Sequence, residues 1–342
     1  MCEVAGEDPL GRGAPEAFLN PLRTPREQRA EESMPSRILI AGAAGLVGQN
    51  LIARLGGSPE WEIVAIDKHP NNVEVLRRLH PNITVIEADL ATVGAWTTAA
   101  AGCDVIIMLQ AQIGGLDPEA FERNNIAATA HLLTVAASSK AFVIHVSSSV
   151  VNSHAHDFYT QSKTRQEAMV VNAGVVHVVL RPTLMFGWFD RKHLGWLRRF
   201  IGRTPVFPIP GSGRYLRQPL YAGDFANIIR ACLERRITGV YNISGLEKID
   251  YIDLIRIIRQ IDGSRTAIVN IPTWLFGLML RTYALFGPDP PFTVDQLKAL
   301  RTPDVFEVID WPGIFGVTPT PLRQALEVTF KDPVYSEIEL EF

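Results

Sequence analysis

The chain has little cysteine and no block of like charges. Its 342 residues include three cysteines, Cys2, Cys103 and Cys232, which lie far apart. Such an odd, scattered set excludes a disulfide framework and a Cys-x-x-Cys metal site. The 33 basic and 36 acidic residues give a net charge of −3, without a run of five like charges. This balance argues against nucleic acid as the partner.

Long apolar runs are also missing. A transmembrane helix needs about 18 uninterrupted apolar residues, and the nearest candidate, 267–286, is interrupted by Asn270, Pro272 and Arg281. We therefore expect no transmembrane segment. We interpret 267–286 as a buried or partner-facing helix, with contact at a membrane surface as the alternative.

The first 33 residues mix acidic, basic, proline and glycine residues without an apolar stretch. This pattern does not fit a secretory signal, and with the low cysteine content it favours the cytoplasm. We expect residues 1–33 to form a disordered N-terminal extension, with Met34 as an alternative start of the native chain.

From residue 37 onward, short runs of β-branched residues alternate with segments of helical period. The pattern predicts strands at 37–42, 62–67, 83–89, 105–110, 141–147 and 175–182, and helices at 45–56, 72–80, 118–138 and 158–172. The strands are continuously apolar, which indicates burial on both faces and a parallel sheet covered by helices. The predicted fold class is therefore α/β, a doubly wound Rossmann domain over 34–182. Proline- and glycine-rich pieces follow, so we expect a smaller α/β substrate lobe, interleaved with that core, over 183–342.

The segment GAAGLVG at 42–48 stands where the first predicted strand ends and a helix begins. Gly42 would permit the tight turn, Gly45 the close approach of a pyrophosphate, and Gly48 the packing of the helix on the sheet. Nineteen residues after Gly48, Asp67 ends the second strand, where a carboxylate accepts hydrogen bonds from ribose hydroxyls and repels a 2′-phosphate. These features predict NAD rather than NADP. A strand-to-helix turn without a nucleotide is the alternative.

Asp89 and Leu90 end the third predicted strand, where an acid can face the adenine amino group. An equally good interpretation of Asp89 is the N-cap of a helix over 91–100.

Tyr159 and Lys163 stand four residues apart in YTQSK, on one face of a predicted helix. A neighbouring ammonium would lower the pKa of the phenol, about 10 in isolation, and make it a useful acid/base. Ser147, Ser148 and Ser149 follow the strand at 141–147, at the edge where open α/β sheets bind ligands. An exposed helix face is the alternative for the pair alone, but the order of these segments favours catalysis.

These segments resemble the extended short-chain dehydrogenase/reductase superfamily, in its NAD-dependent epimerase/dehydratase family, over about residues 36–330. The resemblance implies that Ser149, Tyr159 and Lys163 are catalytic and that Ser148 and Ser149 contact the substrate. The implied NAD contacts are Gly42, Gly45, Leu46, Val47, Gly48, Asp67, Asp89, Leu90, Leu109, Gln110, Ala111, Asn125, Lys163 and Pro182.

Further matches lie in three segments. NIAATAHLL, beginning at Asn125, is similar to the family's NvxGTxnLL, in which the asparagine braces the active-site backbone. RPTLMFG contains Pro182, implied to lie beside the nicotinamide. The stretch 211–229 is similar to GxGxxxRxxxxVxDxA, where Arg217 would bind a substrate diphosphate and Asp224 would cap a helix. The alternatives are a solvated arginine at the rim and, for Asp224, the cap alone, which we favour there.

The chain also departs from the sugar enzymes of this family. Only ten positions separate Ser149 from Tyr159, whereas the sugar epimerases usually have a longer loop there. The Thr-Asp-Glu triplet that dehydratases carry at the serine position is missing. The Gln218-Pro219 pair is similar to that of atypical members, which bind a nucleotide without evident turnover. His154 and His156 form an HxH pair without a third ligand, so we predict no metal site.

We therefore expect a nucleotide-sugar epimerase that acts by transient hydride transfer. The alternatives are an NAD-dependent dehydrogenase or reductase of another small substrate, and a non-catalytic NAD-binding module that docks through 267–286. The resemblance also suggests a homodimer through 118–138 and 158–172.

Overall fold

Strands and helices alternate through the first half of the chain, as the sequence predicts. The computed structural model describes residues 35–153, 157–286 and 306–341. The strands are β1 (Ser36–Ala41), β2 (Trp61–Asp67), β3 (Thr84–Glu87), β4 (Val105–Met108), β5 (Phe142–Val146), β6 (His177–Pro182), β7 (Met185–Phe186), β8 (Val206–Pro210), β9 (Leu216–Arg217), β10 (Leu220–Tyr221), β11 (Gly239–Ile243), β12 (Ile249–Asp250) and β13 (Ala267–Ile271). The α-helices are α1 (Leu46–Leu55), α2 (Pro70–Leu79), α3 (Ala95–Ala100), α4 (Pro118–Phe121), α5 (Ala128–Ser139), α6 (Phe158–Asn172), α7 (Leu194–Arg203), α8 (Ala222–Arg235), α9 (Tyr251–Asp262), α10 (Thr273–Phe286), α11 (Trp311–Phe315) and α12 (Leu322–Lys331). The predicted extension at 1–33, Met34 and the His154/His156 pair lie outside the described residues.

A seven-stranded parallel sheet forms the centre of the fold. Its strand order is β11-β6-β5-β4-β1-β2-β3, and each neighbouring pair is parallel. The order reverses at β1, since the chain runs outward first through β2 and β3 and then through β4, β5 and β6. This is the doubly wound arrangement, and the predicted α/β Rossmann fold is confirmed.

Both faces of the sheet are covered, which explains the continuously apolar strands. On one face, Ile38 of β1 belongs to a core with residues of α1 and α8. On the other face, Leu39 belongs to a core with residues of α3 and α5. Each fully buried aliphatic side chain of this kind contributes about 1.5–3 kcal/mol.

A third core lies among the elements after the sheet's sixth strand. It joins α7, β8, α9 and α12, with Ile201, Ile255 and Leu326 fully buried. The chain from Ser36 onward belongs to one compact unit, so a boundary between 182 and 183 stays a prediction.

The segment 267–286 is not one helix. Residues 267–271 form β13, which pairs with β8, and α10 begins at Thr273 because Pro272 cannot continue a strand ladder but fits before a helix. Trp274 of α10 is 71% exposed, so this side of the helix is not buried. Among the described residues, no helix is long and apolar enough to cross a bilayer.

The predicted helix at 118–138 is interrupted by a π-helical stretch, Glu122–Ala127, between α4 and α5. Hydrophobic periodicity does not reveal a single extra residue in a helix, so this stretch was not predicted. Such stretches are frequent at functional sites.

Candidate active site

Two of the three loop glycines are required by the protein's own packing. Gly42 follows β1 with φ +77°, and a Cβ there would lie 2.7 Å from the amide nitrogen of Gln110. A Cβ on Gly48 would lie 2.3 Å from the carbonyl oxygen of Ala43. Glycine therefore permits the turn at 42 and the close packing of α1 on the end of β1.

Gly45, the N-cap of α1, is different. Its φ of −79° and ψ of 176° suit any residue, and a Cβ there would meet, among the described atoms, only the carbonyl oxygen of Gly42, at 3.5 Å. The N-cap makes no side-chain hydrogen bond, and the first turn of α1 carries no acidic residue. The positive end of the helix dipole, with the N–H groups of Leu46 and Val47, thus lies beside space that these residues do not fill.

Asp67 ties the end of β2 to the glycine-rich loop. Its Oδ2 accepts a hydrogen bond from the N–H of Ala44 at 3.0 Å. Its Oδ1 accepts from the N–H groups of Lys68, at 2.8 Å, and His69, at 3.1 Å. Since a carboxylate offers about four lone-pair sites, three protein donors leave room for a ribose hydroxyl.

Asp89 turns the chain after β3 rather than capping a helix. Its Oδ1 accepts from the N–H of Ala91 at 2.9 Å, whereas the N-cap of α3 is Gly94; the alternative interpretation as a cap is wrong. Arg123 forms an ion pair with Asp89 at 2.7 Å. Burial acts to raise the pKa of Asp89, but hydrogen bonds from Ala91 and Arg123 outweigh this effect and lower the pKa. The neighbouring Leu90 is buried.

Leu109, Gln110 and Ala111 follow β4 at the carboxyl edge of the sheet. The N–H of Leu109 donates to the carbonyl oxygen of Ala41 at 2.9 Å, and the backbone of Gln110 lies against Gly42. All three residues are half-buried. They therefore lie beside the loop, at the edge where open α/β sheets bind ligands.

Asn125, in the π-helical stretch, is fully buried. Its Oδ1 accepts from the N–H of Gln112 at 2.6 Å, and its Nδ2 donates to the Oγ of Ser162 at 2.8 Å. Asn125 thus joins the segment after β4 to α6. The role that the resemblance implies for Asn125, bracing the active-site backbone, stays a prediction.

Ser147, Ser148 and Ser149 have three different environments. The Oγ of Ser147 donates to Glu167 at 2.6 Å. The hydroxyl of Ser148 lies close enough to that of Tyr159 to lower the pKa of Tyr159. Ser149 begins a short 3₁₀ helix, Ser149–Asn152, whose N-cap is Ser148. The hydroxyl next to Tyr159 is therefore that of Ser148, and a catalytic role for Ser149 stays a prediction.

Tyr159 lies in the first turn of α6. The helix begins at Phe158 because Asp157, its N-cap, accepts from the N–H of Thr160 at 2.8 Å. Burial raises the pKa of Tyr159, the hydrogen bond with Ser148 lowers it, and the charge of Asp157 raises it further. The net rise is opposite to the predicted effect of Lys163, whose ammonium donates elsewhere.

Lys163 is 1% exposed. Its Nζ donates to the carbonyl oxygen of Val146, at 2.9 Å, and to Oε1 of Gln166, at 2.6 Å. Burial lowers the pKa of Lys163 to about 7, against the opposing effect of the Glu167 carboxylate.

Sequence reasoning missed Glu167 and Gln166. Glu167 is buried and forms an ion pair with Arg181 of β6. Burial acts to raise the pKa of Glu167, but hydrogen bonds from Arg181 and Ser147 outweigh this effect and lower the pKa. The four-residue spacing from Lys163 was an available signal for Glu167, since it puts both on one helix face. The three-residue spacing of Gln166 from Lys163 was a signal of the same kind.

The remaining predicted residues lie on the elements after β6. Pro182 ends β6 and is paired with Ile243 of β11. Arg217 lies in β9 and is half-buried, opposite Ile249 of β12. Asp224 does not cap a helix, because α8 begins at Ala222 with Tyr221 as its N-cap.

The side chains of Asp224 and Gln218 instead hold other segments. Asp224 accepts from the N–H and the hydroxyl of Thr320, at 3.0 and 2.6 Å. Gln218 is buried, donates to the carbonyl oxygen of Gly245 at 2.7 Å and accepts from the N–H of Phe306 at 2.9 Å. Among the described residues, no three His, Cys, Asp or Glu side chains are placed to hold a metal ion.

A family model for NAD dependent epimerases and dehydratases matches residues 38–244, more than half of the chain. The chain belongs to the NAD dependent epimerase/dehydratase family. This confirms the resemblance carried by the motifs and, because the family is NAD-dependent, NAD as the cofactor. No curated protein matches the chain significantly.

Solved structures of this family share the fold. UDP-glucuronic acid 4-epimerase from Bacillus cereus, in complex with NAD, has a TM-score of 0.67 at 22% identity, covering 85% of this chain and 96% of that one. UDP-glucose 4-epimerase from Thermotoga maritima, with UDP-glucose, has a TM-score of 0.67 at 18% identity, covering 86% and 97%. ADP-L-glycero-D-manno-heptose-6-epimerase from Helicobacter pylori has a TM-score of 0.66 at 20% identity, covering 87% and 95%.

The loop residues fit the dinucleotide that this family uses. The space beside Gly45 and the uncapped start of α1 suit a pyrophosphate, and the remaining acceptor capacity of Asp67 suits the adenosine ribose. Lys163 keeps one N–H beyond the two that donate to protein oxygens, which suits the nicotinamide ribose.

Gly45→Ala tests this fit. Because a Cβ at 45 meets no close atom, we expect stability within about 1 kcal/mol of wild type, but NAD binding at least about tenfold weaker, since the methyl group occupies the phosphate space. Gly48→Ala is the contrast, and its clash with Ala43 should cost about 1–3 kcal/mol. Urea unfolding and NAD titration measure both. Unchanged NAD affinity in Gly45→Ala would refute this placement of the pyrophosphate.

The pKa of Lys163 predicts a pH dependence of stability. An unfolded lysine titrates near 10.4, whereas the folded pKa is about 7. Between these values the unfolded state binds more protons, so the stability contributed at this position rises with pH. We expect wild type to gain stability relative to Lys163→Met from pH 7 to pH 9 in urea unfolding. A difference that stays constant across this range would contradict the lowered pKa.

Proposed function

We propose that this protein is an NAD-dependent nucleotide-sugar epimerase in which Tyr159 moves the proton. The observation that carries the proposal is that α6 holds Tyr159 one turn before the buried Lys163, whose Nζ donates to Val146 at the carboxyl end of β5, with Ser148 near enough to lower the pKa of Tyr159. The family match supports a hydride-transfer reaction. The substrate class is taken from the structural neighbours, one of which was crystallised with UDP-glucuronic acid and NAD.

Bound NAD supplies the hydride acceptor. The hydroxyl of Ser148 would hold the carbinol oxygen of the sugar, and the Tyr159 phenolate would take its proton. Burial opposes ionisation of Tyr159, whereas Ser148 favours it, and a protonated Lys163 would add a positive charge nearby. Return of the proton from Tyr159 as the ketone is reduced on its other face completes an inversion without net NADH.

Arg217 is the proposed diphosphate ligand, because a forked guanidinium suits a diphosphate. We further propose that the enzyme acts in the cytoplasm as a homodimer through segments 118–138 and 158–172. The free, buried thiols of Cys103 and Cys232 support a reducing compartment.

The activity is tested by incubating the protein and NAD⁺ with UDP-, GDP- and dTDP-sugars and separating the products. We expect one epimerised sugar without net NADH, and loss of turnover by about 10²–10⁴-fold in Tyr159→Phe with NAD affinity changed only a few-fold. Accumulating NADH would instead indicate a dehydrogenase. NAD binding without conversion of any sugar would reject the epimerase.

The paired serines can be separated by single substitutions. We expect Ser148→Ala to lower kcat by about 100-fold, because it removes the hydroxyl next to Tyr159. Ser149→Ala is the matched neighbour and should have a smaller effect. If Ser149→Ala loses more activity than Ser148→Ala under the same assay, the roles are reversed and the arrangement changes when substrate binds.

A further inference from the structure

The ammonium of Lys163 is held by two neutral oxygens. An ammonium has three N–H donors and no acceptor. Two of the N–H groups of Lys163 donate to the carbonyl oxygen of Val146 and to Oε1 of Gln166. Because Lys163 is 1% exposed, the third N–H has little access to bulk solvent. The direction of this last donor is therefore set by the first two.

Gln166 is held in turn by a buried threonine. Its Nε2 donates at 2.9 Å to the Oγ1 of Thr129 on α5, and Gln110 Nε2 donates to the same oxygen at 3.3 Å. Gln166 and Thr129 are both fully buried. Since an ammonium only donates, the oxygen of the Gln166 amide must face Lys163 and its NH₂ must face Thr129. The hydrogen bonds therefore fix the amide in one orientation.

The charged surroundings of Lys163 explain why a neutral acceptor matters. Glu167 is committed to Arg181 and Ser147. His145 of β5 is fully buried, and burial and the charges of Lys163 and His177 hold its pKa well below the usual value. A carboxylate at 166 would bind the ammonium more strongly, whereas an apolar residue would leave a buried N–H unpaired.

We propose that Gln166 is a positioning residue: together with the carbonyl of Val146 it takes up two N–H groups of the protonated Lys163 side chain and leaves the third for the nicotinamide ribose of NAD. The inference rests on the proposed function only for the role of Lys163. It requires neither a particular sugar nor turnover.

A double-mutant cycle with NAD titrations below pH 7, where Lys163 is mainly protonated, tests the proposal. Gln166→Met should weaken NAD binding by about tenfold in the wild-type background, the size expected for a hydrogen bond to a charged group. In a Lys163→Met background the same substitution should change NAD affinity less than about twofold. Gln161→Met, an exposed glutamine on the same helix, is the matched control and should leave affinity unchanged.

A second readout needs no ligand. Lys163 changes the free energy of unfolding over a limited pH range. We expect Gln166→Glu to shift this range to higher pH and Gln166→Met to shift it to lower pH. Comparison of each variant with the same variant carrying Lys163→Met measures the range. Melting curves show whether each variant folds. If one does not, the pH range of the other variant tests the proposal.

Equal losses of NAD affinity in both backgrounds, or pH ranges that do not move, would overturn the proposal. A failed sugar panel with a positive cycle would reject the epimerase and keep the positioning role. Epimerised sugar without coupling between Gln166 and Lys163 in NAD affinity would keep the epimerase and reject the positioning role.

Discussion

The burial of one ammonium fixes the geometry of the candidate active site. Lys163 reaches from α6 to the backbone of β5, and an unpaired charge at this depth would be far more costly than the same charge in water. Because Val146 and Gln166 supply its acceptors, α6 is held against the end of the strand that precedes the serines. Tyr159 and Glu167 lie on the same helix, so this contact also contributes to placing both beside the end of β5.

The adenosine end of the site is connected to the same framework through the π-helical stretch Glu122–Ala127. Arg123 pairs with Asp89, Asn124 accepts from the Nζ of Lys68 at 2.7 Å, and Asn125 donates to Ser162 of α6. Three successive side chains thus contact the ends of β3 and β2 and the helix of the reactive tyrosine. The two ends of the predicted dinucleotide site share one short segment.

Sequence patterns were sufficient for the sheet, the glycine loop and the YTQSK pair, because each depends on residues close together in the chain. They were insufficient where a partner lies far away. Asp224 has the spacing of a helix cap, yet it binds Thr320, 96 residues later. The triple serine offered three equivalent hydroxyls, and only the turn into the 3₁₀ helix at Ser149 determines that Ser148 meets Tyr159. The lowered pKa of Lys163 likewise follows from burial, which spacing does not encode.

The π-helical stretch also constrains how this chain can vary in length. A residue in an α-helix turns the helix by about 100°, so loss of one residue from Glu122–Ala127 would rotate Arg123 and Asn124 relative to α5 by about that angle. Their contacts with Asp89 and Lys68 would then be replaced by other side chains, while the face that α5 packs on the sheet would be retained. A one-residue deletion here would thus detach the ends of β2 and β3 from this segment, and because Phe121 and Ile126 are buried it would also disturb the packing beneath it. The length of this segment is therefore constrained as tightly as the identity of a core residue.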